Sequence, residues 1–503
     1  MNGQASAPAD ARVPSCPPWS AGHWIGGAWY PSGEPAVLRF NPATGEIVGT
    51  VAVGGSVVAL EAIAAARLAF EQNTWAQVPR LRAEVLLDFA AEMEREAAPL
   101  AVLLAAETGK LLRVATGEIA ASVAELRFYA GLARSTFGRM LETEPGCVSL
   151  IAPEAAGVAA IMVPWNAPVI LLVRSLAPAI AAGCTVVVRP ALQSALIHSA
   201  IMRVLSRCER LPPGTVNSFS EVGSAGAEEL VRSLDVQVIS FTGSSRVGKA
   251  IMAAASPTLK KINLELGGKA PAIVLADCNI EQVSGRLATE SMILCGQQCT
   301  AISRILVHES RYDAMKIALC AALSALRLGP VDHSATDLGP LINAQSRDRL
   351  LALVERAAED GRAPLQGFVP GGDLERGAYL SPTLTTYDDL ASDYIQQELF
   401  GPIVNLERFS SDIEAVQRAN ATPFGLAASV WTADLVRAHR IARAIKAGTV
   451  WINDHNKLVA EVETGGYGDS GVGRLHGTMA MQEFQQVKHI YQTHGALGVE
   501  FPR

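Results

Sequence analysis

The chain has 503 residues, of which 49% are hydrophobic. That is enough apolar material for more than one core, and the length favours two or three domains. A formal net charge of −7 and a pI near 5.8, with no block of Lys or Arg, leave no basic surface for nucleic acid or an anionic membrane. Eight cysteines run from Cys16 to Cys320 without a C-x-x-C pair or neighbouring His. They read as reduced thiols in a cytoplasmic protein, and no metal site is expected.

Residues 1–18 are rich in Ala, Pro and Ser and lack a cationic stretch followed by an apolar core, so they read as a flexible tail rather than a secretory signal. A helix is predicted over 81–93, with Val85, Leu86, Phe89 and Met93 on one face and Glu84, Asp88 and Glu92 on another. The most apolar stretch, 157–188, is interrupted by Pro164, Asn166, Pro168, Arg174 and Pro178. It therefore holds no uninterrupted span of about 18 apolar residues and reads as strand, turn, helix and strand. Short β-rich runs at 158–163, 185–189, 215–220, 236–241 and 261–266 alternate with helix-length segments, the pattern of a doubly wound parallel sheet. A second α/β segment follows Gly267-Gly268, with strands predicted at 272–275 and 303–307 and a helix over 312–326. A boundary at that glycine pair would put a ligand crevice between two cores.

Five short segments carry chemistry. In Pro164-Trp165-Asn166-Ala167-Pro168 an amide follows an apolar strand, as an oxyanion donor or simply as a turn residue. Phe241-Thr242-Gly243-Ser244-Ser245-Arg246-Val247-Gly248 ends a strand and begins a helix, so its small residues would admit a pyrophosphate to backbone N–H groups, although the G-x-G-x-x-G fingerprint is missing. Glu265-Leu266-Gly267-Gly268-Lys269 sets a carboxylate beside a glycine pair read as flexible, either as a general base or in a salt bridge with Lys269. Gly296-Gln297-Gln298-Cys299 offers a thiol in a polar segment, as a nucleophile or as packing. Cys295 follows Met292-Ile293-Leu294 and reads as packing. Glu398-Leu399-Phe400-Gly401-Pro402 pairs a carboxylate that would bond a ribose with a ring that would pack on a nicotinamide.

In this order the segments resemble the P-W-N, F-T-G-S-x-x-x-G, E-L-G-G-K, G-Q-x-C and E-x-F-G-P motifs of the aldehyde dehydrogenase superfamily. Asn420-Ala421-Thr422-Pro423-Phe424-Gly425 and Gly448-Thr449-Val450-Trp451-Ile452-Asn453 extend the likeness, which covers the chain from about Trp24 to Tyr491. The resemblance implies an α/β fold of two doubly wound domains plus a small β oligomerisation arm. The coenzyme domain would take 1–138 and 158–264, the catalytic domain 265–470, and the arm 139–157 with 471–503. It implies oxidation of a small aldehyde to the acid with NAD or NADP, in a homodimer or homotetramer. Cys299 would be the nucleophile, Glu265 the base, and Asn166 with the Cys299 N–H the oxyanion hole. Pro164, Trp165, Arg189, Gln193, Gly226, Thr242, Gly243, Ser244, Gly248, Leu266, Glu398 and Phe400 would contact the dinucleotide.

Two departures from the family pattern bear on specificity. Arg189-Pro190-Ala191-Leu192-Gln193 replaces the usual K-P-[AS]-E, and a neutral Gln193 beside Arg189 should tolerate a 2′-phosphate. Arg174 stands where the family often has an aromatic residue, as a partner for a substrate carboxylate or phenolic oxygen or as a helix-surface salt bridge. The segment 463–468 also lacks the usual Pro and Lys. A coenzyme A-acylating enzyme, a catalytically silent binding relative and a thiol esterase are the rivals; Glu265 argues against the first, and the Cys299, Glu265 and Asn166 set against the second. Ser244, Glu398 and Phe400 have no role in the third.

Overall fold

The computed structural model describes residues 19–30, 36–135 and 137–493; the expected N-terminal tail, 1–18, lies outside them. An eight-stranded sheet runs in the order Gly471–Val472, Lys261–Glu265, Val238–Thr242, Val158–Val163, Thr185–Pro190, Val216–Ser218, His23–Ile25, Ala28–Tyr30. Its five central strands are parallel, with Ala159 opposite both Val186 and Val238. Val158–Val163 is buried at every position, as expected of a strand covered on both faces by helices. The helix Pro168–Ala182 opens on proline at its first turn and closes on Gly183 at φ 99°. Both choices suit the ends of a helix: proline has no N–H to leave unbonded, and glycine takes the left-handed cap without a Cβ clash.

The strand runs expected from the sequence recur with ends shifted by up to two residues. The predicted 81–93 helix spans Pro79–Arg95, with Val85, Leu86, Phe89 and Met93 buried. The outer strands His23–Ile25, Ala28–Tyr30 and Gly471–Val472, all antiparallel, were not legible. They are too short to show a period, and His23–Ile25 and Gly471–Val472 reach the sheet through strands far away in the chain.

Between Glu265 and Ala270 the chain leaves this sheet for a second, six-stranded one. The order there is Thr383–Thr385, Ile403–Phe409, Ile302–His308, Ala270–Val274, Ala427–Trp431, Thr449–Ile452, parallel throughout. A small antiparallel sheet joins Arg139–Glu144, Cys147–Ala155 and Gln485–Thr493. Within 471–493 only this last strand joins it, since Gly471–Val472 pairs with Lys261–Glu265 and the helix Met479–Glu483 packs on Pro168–Ala182. Among the described residues no helix is long and apolar enough to cross a membrane.

Candidate active site

In the first sheet the chain runs outward one way from Val158–Val163 through Thr185–Pro190 to Val216–Ser218, and the other way from Val238–Thr242 to Lys261–Glu265. The two directions diverge between Val158–Val163 and Val238–Thr242. At such a switch point the loops leaving the strand ends part and open a crevice, the usual ligand site of an open parallel sheet. Pro164, Trp165 and Asn166 follow one of these strands; Thr242, Gly243 and Ser244 end the other.

Cys299, Asn166, Glu265 and Arg174 line one cavity of about 910 Å³. The loop that carries Cys299 begins with Leu294, Cys295 and Gly296 at φ 49°, 57° and 72°. Left-handed backbone at two side-chain-bearing residues is costly and persists only where surrounding packing imposes it. Here Cys295 is buried in a cluster with Leu341, Leu350 and Tyr394, and a Cβ on Gly296 would collide with the Gly401 carbonyl. Beyond the turn, Gln297 is held through its Oε1, which accepts from the Ile342 N–H at 2.9 Å. Its carbonyl accepts from Asn166 Nδ2 at 3.0 Å. One amide hydrogen of Asn166 is thereby fixed on the cysteine loop and the second is left for an oxygen in the cavity.

The sequence read Gly267-Gly268 as flexible, and the structure gives the pair another purpose. Neither residue has positive φ; instead, a Cβ at Gly267 would strike the Glu398 carboxylate and one at Gly268 the Cys299 carbonyl. The Gly268 N–H donates to Glu398 Oε1 at 3.0 Å. The glycines thus bring the Glu398 carboxylate and the cysteine loop into contact with one turn.

Glu265 is buried and does not pair with Lys269. Its neighbour is Arg174, with Nη1 3.8 Å from Oε2, while Nη2 donates to Thr242 Oγ1 at 3.1 Å. Arg174 Nε and Glu265 Oε1 are buried without a protein partner among the described residues. Burial raises the Glu265 carboxyl to about 7, with Arg174 and Arg474 opposing the rise. Lys269, facing Glu398 and Glu407, is lowered by burial to about 7. The Cys299 thiol is pushed up to about 12 by burial, Arg174 opposing and the Glu398 and Glu265 carboxylates adding to it. Such a thiol stays protonated at neutral pH until a base removes the proton. A buried carboxyl near 7 is well matched to that work.

The dinucleotide segment has the shape its residue types suggest. Ser244 caps the helix Ser245–Ala255, its hydroxyl accepting from Val247 N–H. A Cβ on Gly243 would meet the Phe241 ring and one on Gly248 the Leu266 side chain. Both glycines are thus required by close packing at the start of this helix, and the backbone N–H groups of a helix N-terminus fit an anionic pyrophosphate. Phe400, at φ 57°, stands edge-on to Trp165 at 5.6 Å. Glu398 is raised by burial.

Arg189 is less free than the sequence suggested. Its Nε donates to Glu221 Oε1 at 3.0 Å and its Nη2 to the Gly223 carbonyl at 2.7 Å. Glu221, buried, also accepts from the N–H groups of Gly226 and Ala227 at the start of Ala225–Arg232. Gln193 lies in the turn Leu192–Ser194, its carbonyl accepting from Arg39.

Sequence reasoning missed Glu221, and also Thr300, His455 and Asn456. Asn456 Oδ1 accepts from Gln298 Nε2 at 2.8 Å and Thr300 Oγ1 at 2.7 Å, and His455 Nε2 lies 2.7 Å from the Thr300 carbonyl. Only the run Asn453-Asp454-His455-Asn456, polar and turn-forming after a strand, hinted at a supporting loop.

A model of the aldehyde dehydrogenase family matches residues 29–490. Betaine aldehyde dehydrogenase of Bacillus subtilis (strain 168) is 35% identical over 475 residues, 93% of this chain and 96% of the relative. Phenylacetaldehyde dehydrogenase of Pseudomonas fluorescens is 33% identical over 93% of this chain and 94% of its own. Among solved structures, betaine aldehyde dehydrogenase from Staphylococcus aureus in complex with NAD+ superposes with a TM-score of 0.92 at 32% identity, covering 96% of each chain.

Proposed function

The chain belongs to the aldehyde dehydrogenase family and oxidises an aldehyde to the carboxylic acid with NAD or NADP, and from that premise we propose the roles of its residues. The observation that carries them is one cavity lined by Cys299, Asn166 and Glu265 together.

Cys299 attacks the aldehyde carbon because hydrogen cannot leave a planar carbonyl with its electron pair to give an acid; the carbon must first become tetrahedral. Glu265, with its carboxyl near 7, takes the thiol proton. The free N–H of Asn166 and the backbone N–H of Cys299 steady the oxygen as it gains charge, and being fixed beforehand they cost no reorganisation. The dinucleotide, held by Thr242, Gly243, Ser244 and Gly248 at its phosphates and by Glu398 and Phe400 at its other end, with Pro164, Trp165, Arg189, Gln193, Gly226 and Leu266 around it, supplies the acceptor for the two electrons and the hydrogen. A thioester then remains on Cys299. Once Glu265 has passed the thiol proton to solvent it draws a second proton from water, the hydroxyl adds to the acyl carbon, the carbon–sulfur bond breaks, and acid leaves with the thiolate restored. A buried base beside the thioester favours hydrolysis over transfer to coenzyme A.

Asn166→Ala should lower kcat by about 10²-fold to 10³-fold with a small effect on KM, as expected for a donor used chiefly in the transition state. Steady-state rates at saturating aldehyde measure it, and an unchanged kcat would remove Asn166 from the oxyanion hole.

Both dinucleotides should serve. Gln193 carries no charge to repel a 2′-phosphate, but Arg189 shares its charge with Glu221, so its attraction is moderated. Arg189→Leu should raise KM for NADP about tenfold more than KM for NAD, the worth of a charge-assisted hydrogen bond. Equal increases, or rejection of NADP by the unaltered protein, would end this reading.

The test of the activity itself is dinucleotide reduction by purified protein across a panel of aldehydes with both cofactors, read as kcat/KM. Betaine aldehyde should be a poor member of that panel. Among the described residues no Phe, Tyr or Trp lines the cavity, and a quaternary ammonium is recognised chiefly through aromatic faces. Arg174 lines the cavity too, and an anionic substrate would share its guanidinium with Glu265; equal KM changes for charged and neutral aldehydes in Arg174→Ala would exclude that contact.

A homo-oligomer built through the small sheet is supported by the apolar residues it exposes, Met140, Leu141, Val487, Ile490 and Tyr491; a sedimentation mass equal to one chain would refute it. A cytoplasmic location agrees with the seven described cysteines being free thiols. Fractionation that finds the protein outside the cytoplasm would refute that location.

A further inference from the structure

The helix Leu112–Ala133 forms one wall of the Cys299 cavity through Val114, Gly117, Glu118, Ala121, Ala124 and Glu125. The small residues among these leave room, and the wall ends in a charged group. Glu125, 1% exposed, faces His476, 5% exposed, whose Nδ1 lies 2.9 Å and 3.0 Å from the two carboxylate oxygens. A carboxylate oxygen accepts, so Nδ1 donates to Glu125 and Nε2 is the ring nitrogen left toward the cavity. Among the described residues Nε2 has no protein partner, and the ring lines the cavity.

A second atom nearby also lacks a protein partner, and this one is buried. Thr464 and Leu475 form an antiparallel bridge, with N–H···O distances of 2.8 Å and 3.0 Å, so Thr464 stands across from the residue preceding His476. Its Oγ1 is buried without a partner, and it lines the same cavity. Most other polar side chains on this wall are committed. Lys110 pairs with Glu118, Gln298 and Thr300 with Asn456, and Arg174 with Glu265 and Thr242 through its Nη atoms, its Nε alone lacking a partner among the described residues. Buried polar atoms left unpaired are unfavourable unless something fills them. His476 itself holds φ 58°, a conformation that histidine and asparagine tolerate better than most residues.

We propose that His476, oriented by Glu125, and Thr464 form a recognition corner for a hydroxyl group borne by the aldehyde at some distance from its carbonyl. A hydroxyl suits the corner because it donates to Nε2 while accepting from Thr464 Oγ1. The aliphatic wall of Val114, Ile170, Leu171, Leu426 and Leu458 takes the carbon chain between the two ends. The proposal rests on the aldehyde-oxidising role of the cavity and adds the class of substrate.

The test compares ω-hydroxyalkanals with n-alkanals of equal length over a series of chain lengths. In the unaltered protein the ratio of kcat/KM, hydroxylated over plain, should peak at one length at about tenfold or more, as a hydrogen bond to an otherwise unpaired buried group predicts. His476→Asn, which keeps a residue tolerant of the left-handed backbone, and Thr464→Val, which keeps the shape of the side chain, should each bring that ratio toward one, chiefly through KM for the hydroxylated series. A flat ratio at every length in the unaltered protein overturns the proposal. So does a peak that survives both substitutions, which would make the pair a clamp between the helix and the C-terminal loop. If neither series reduces the dinucleotide, the fault lies with the aldehyde-oxidising reading, and the recognition corner falls with it.

Discussion

Cys299→Ala should cut aldehyde-dependent reduction of the dinucleotide by at least about 10⁴-fold, because removing a covalent nucleophile removes the whole route and not a fraction of its efficiency. Dinucleotide binding, followed through tryptophan fluorescence, should persist, since no contact of the Ser244 cradle involves the thiol. Cys295→Ala is the control. That side chain packs with Leu341 and Leu350 four residues away, and its loss should leave turnover near that of the unaltered protein. Comparable losses from both substitutions would mean that disturbance of the strained loop, and not loss of a nucleophile, had been measured.

Glu265→Gln should slow both halves of the reaction, because the same carboxylate takes the thiol proton and later a proton from water. Its loss should slow steady-state turnover by roughly 10²-fold to 10⁴-fold, the usual worth of a positioned base. If another route can deprotonate Cys299, a first burst of reduced dinucleotide will survive while acyl release stalls; if the burst is lost as well, Glu265 serves both steps. The pH dependence carries the same information. In the unaltered protein the carboxyl near 7 must lose its proton to act, so turnover should rise through about pH 7 and fall about tenfold per unit below it. The substituted protein should lack that limb, and a limb still present there would belong to another group.

The sign for stability is the reverse of that for activity. A carboxyl raised in the folded state is protonated in both states below its ordinary range near 4.5, so the fold keeps its full stability there. Between about 4.5 and 7 the unfolded chain ionises first, and stability falls as pH rises through that window. Glu265→Gln should therefore unfold at a higher temperature than the unaltered protein at pH 8 and at nearly the same temperature at pH 4, measured by thermal denaturation. This is the exchange of stability for function that a buried general base requires.

Much of this molecule was legible before its structure. The parallel strands were readable because they are buried on both faces and so are apolar throughout, as Val158–Val163 is. The turns were readable because Pro, Gly, Ser and Asn have local conformational reasons for their positions. Asn166, Thr242, Glu265 and Cys299 lie in such segments, each at the end of an element or in a polar loop, and the joint order of those segments, resembling a family's motifs, singled them out. Edge strands such as Ala28–Tyr30 did not stand out, being three residues long.

What the sequence could not show was partnership. Nothing local foretold that Glu265 would face Arg174 and not Lys269, that Glu221 would take up Arg189, that Gly267 and Gly268 would serve close approach and not motion, or that His476 would meet Glu125 from 351 positions away. By itself the sequence determined the elements, their period and the chemistry each segment carries, since propensity, capping and turn geometry act over a few residues. Only the tertiary structure decided which buried charge meets which. In a low-dielectric interior an ion's energy depends on the few neighbours that packing brings within several ångströms, and those neighbours come from distant parts of the chain.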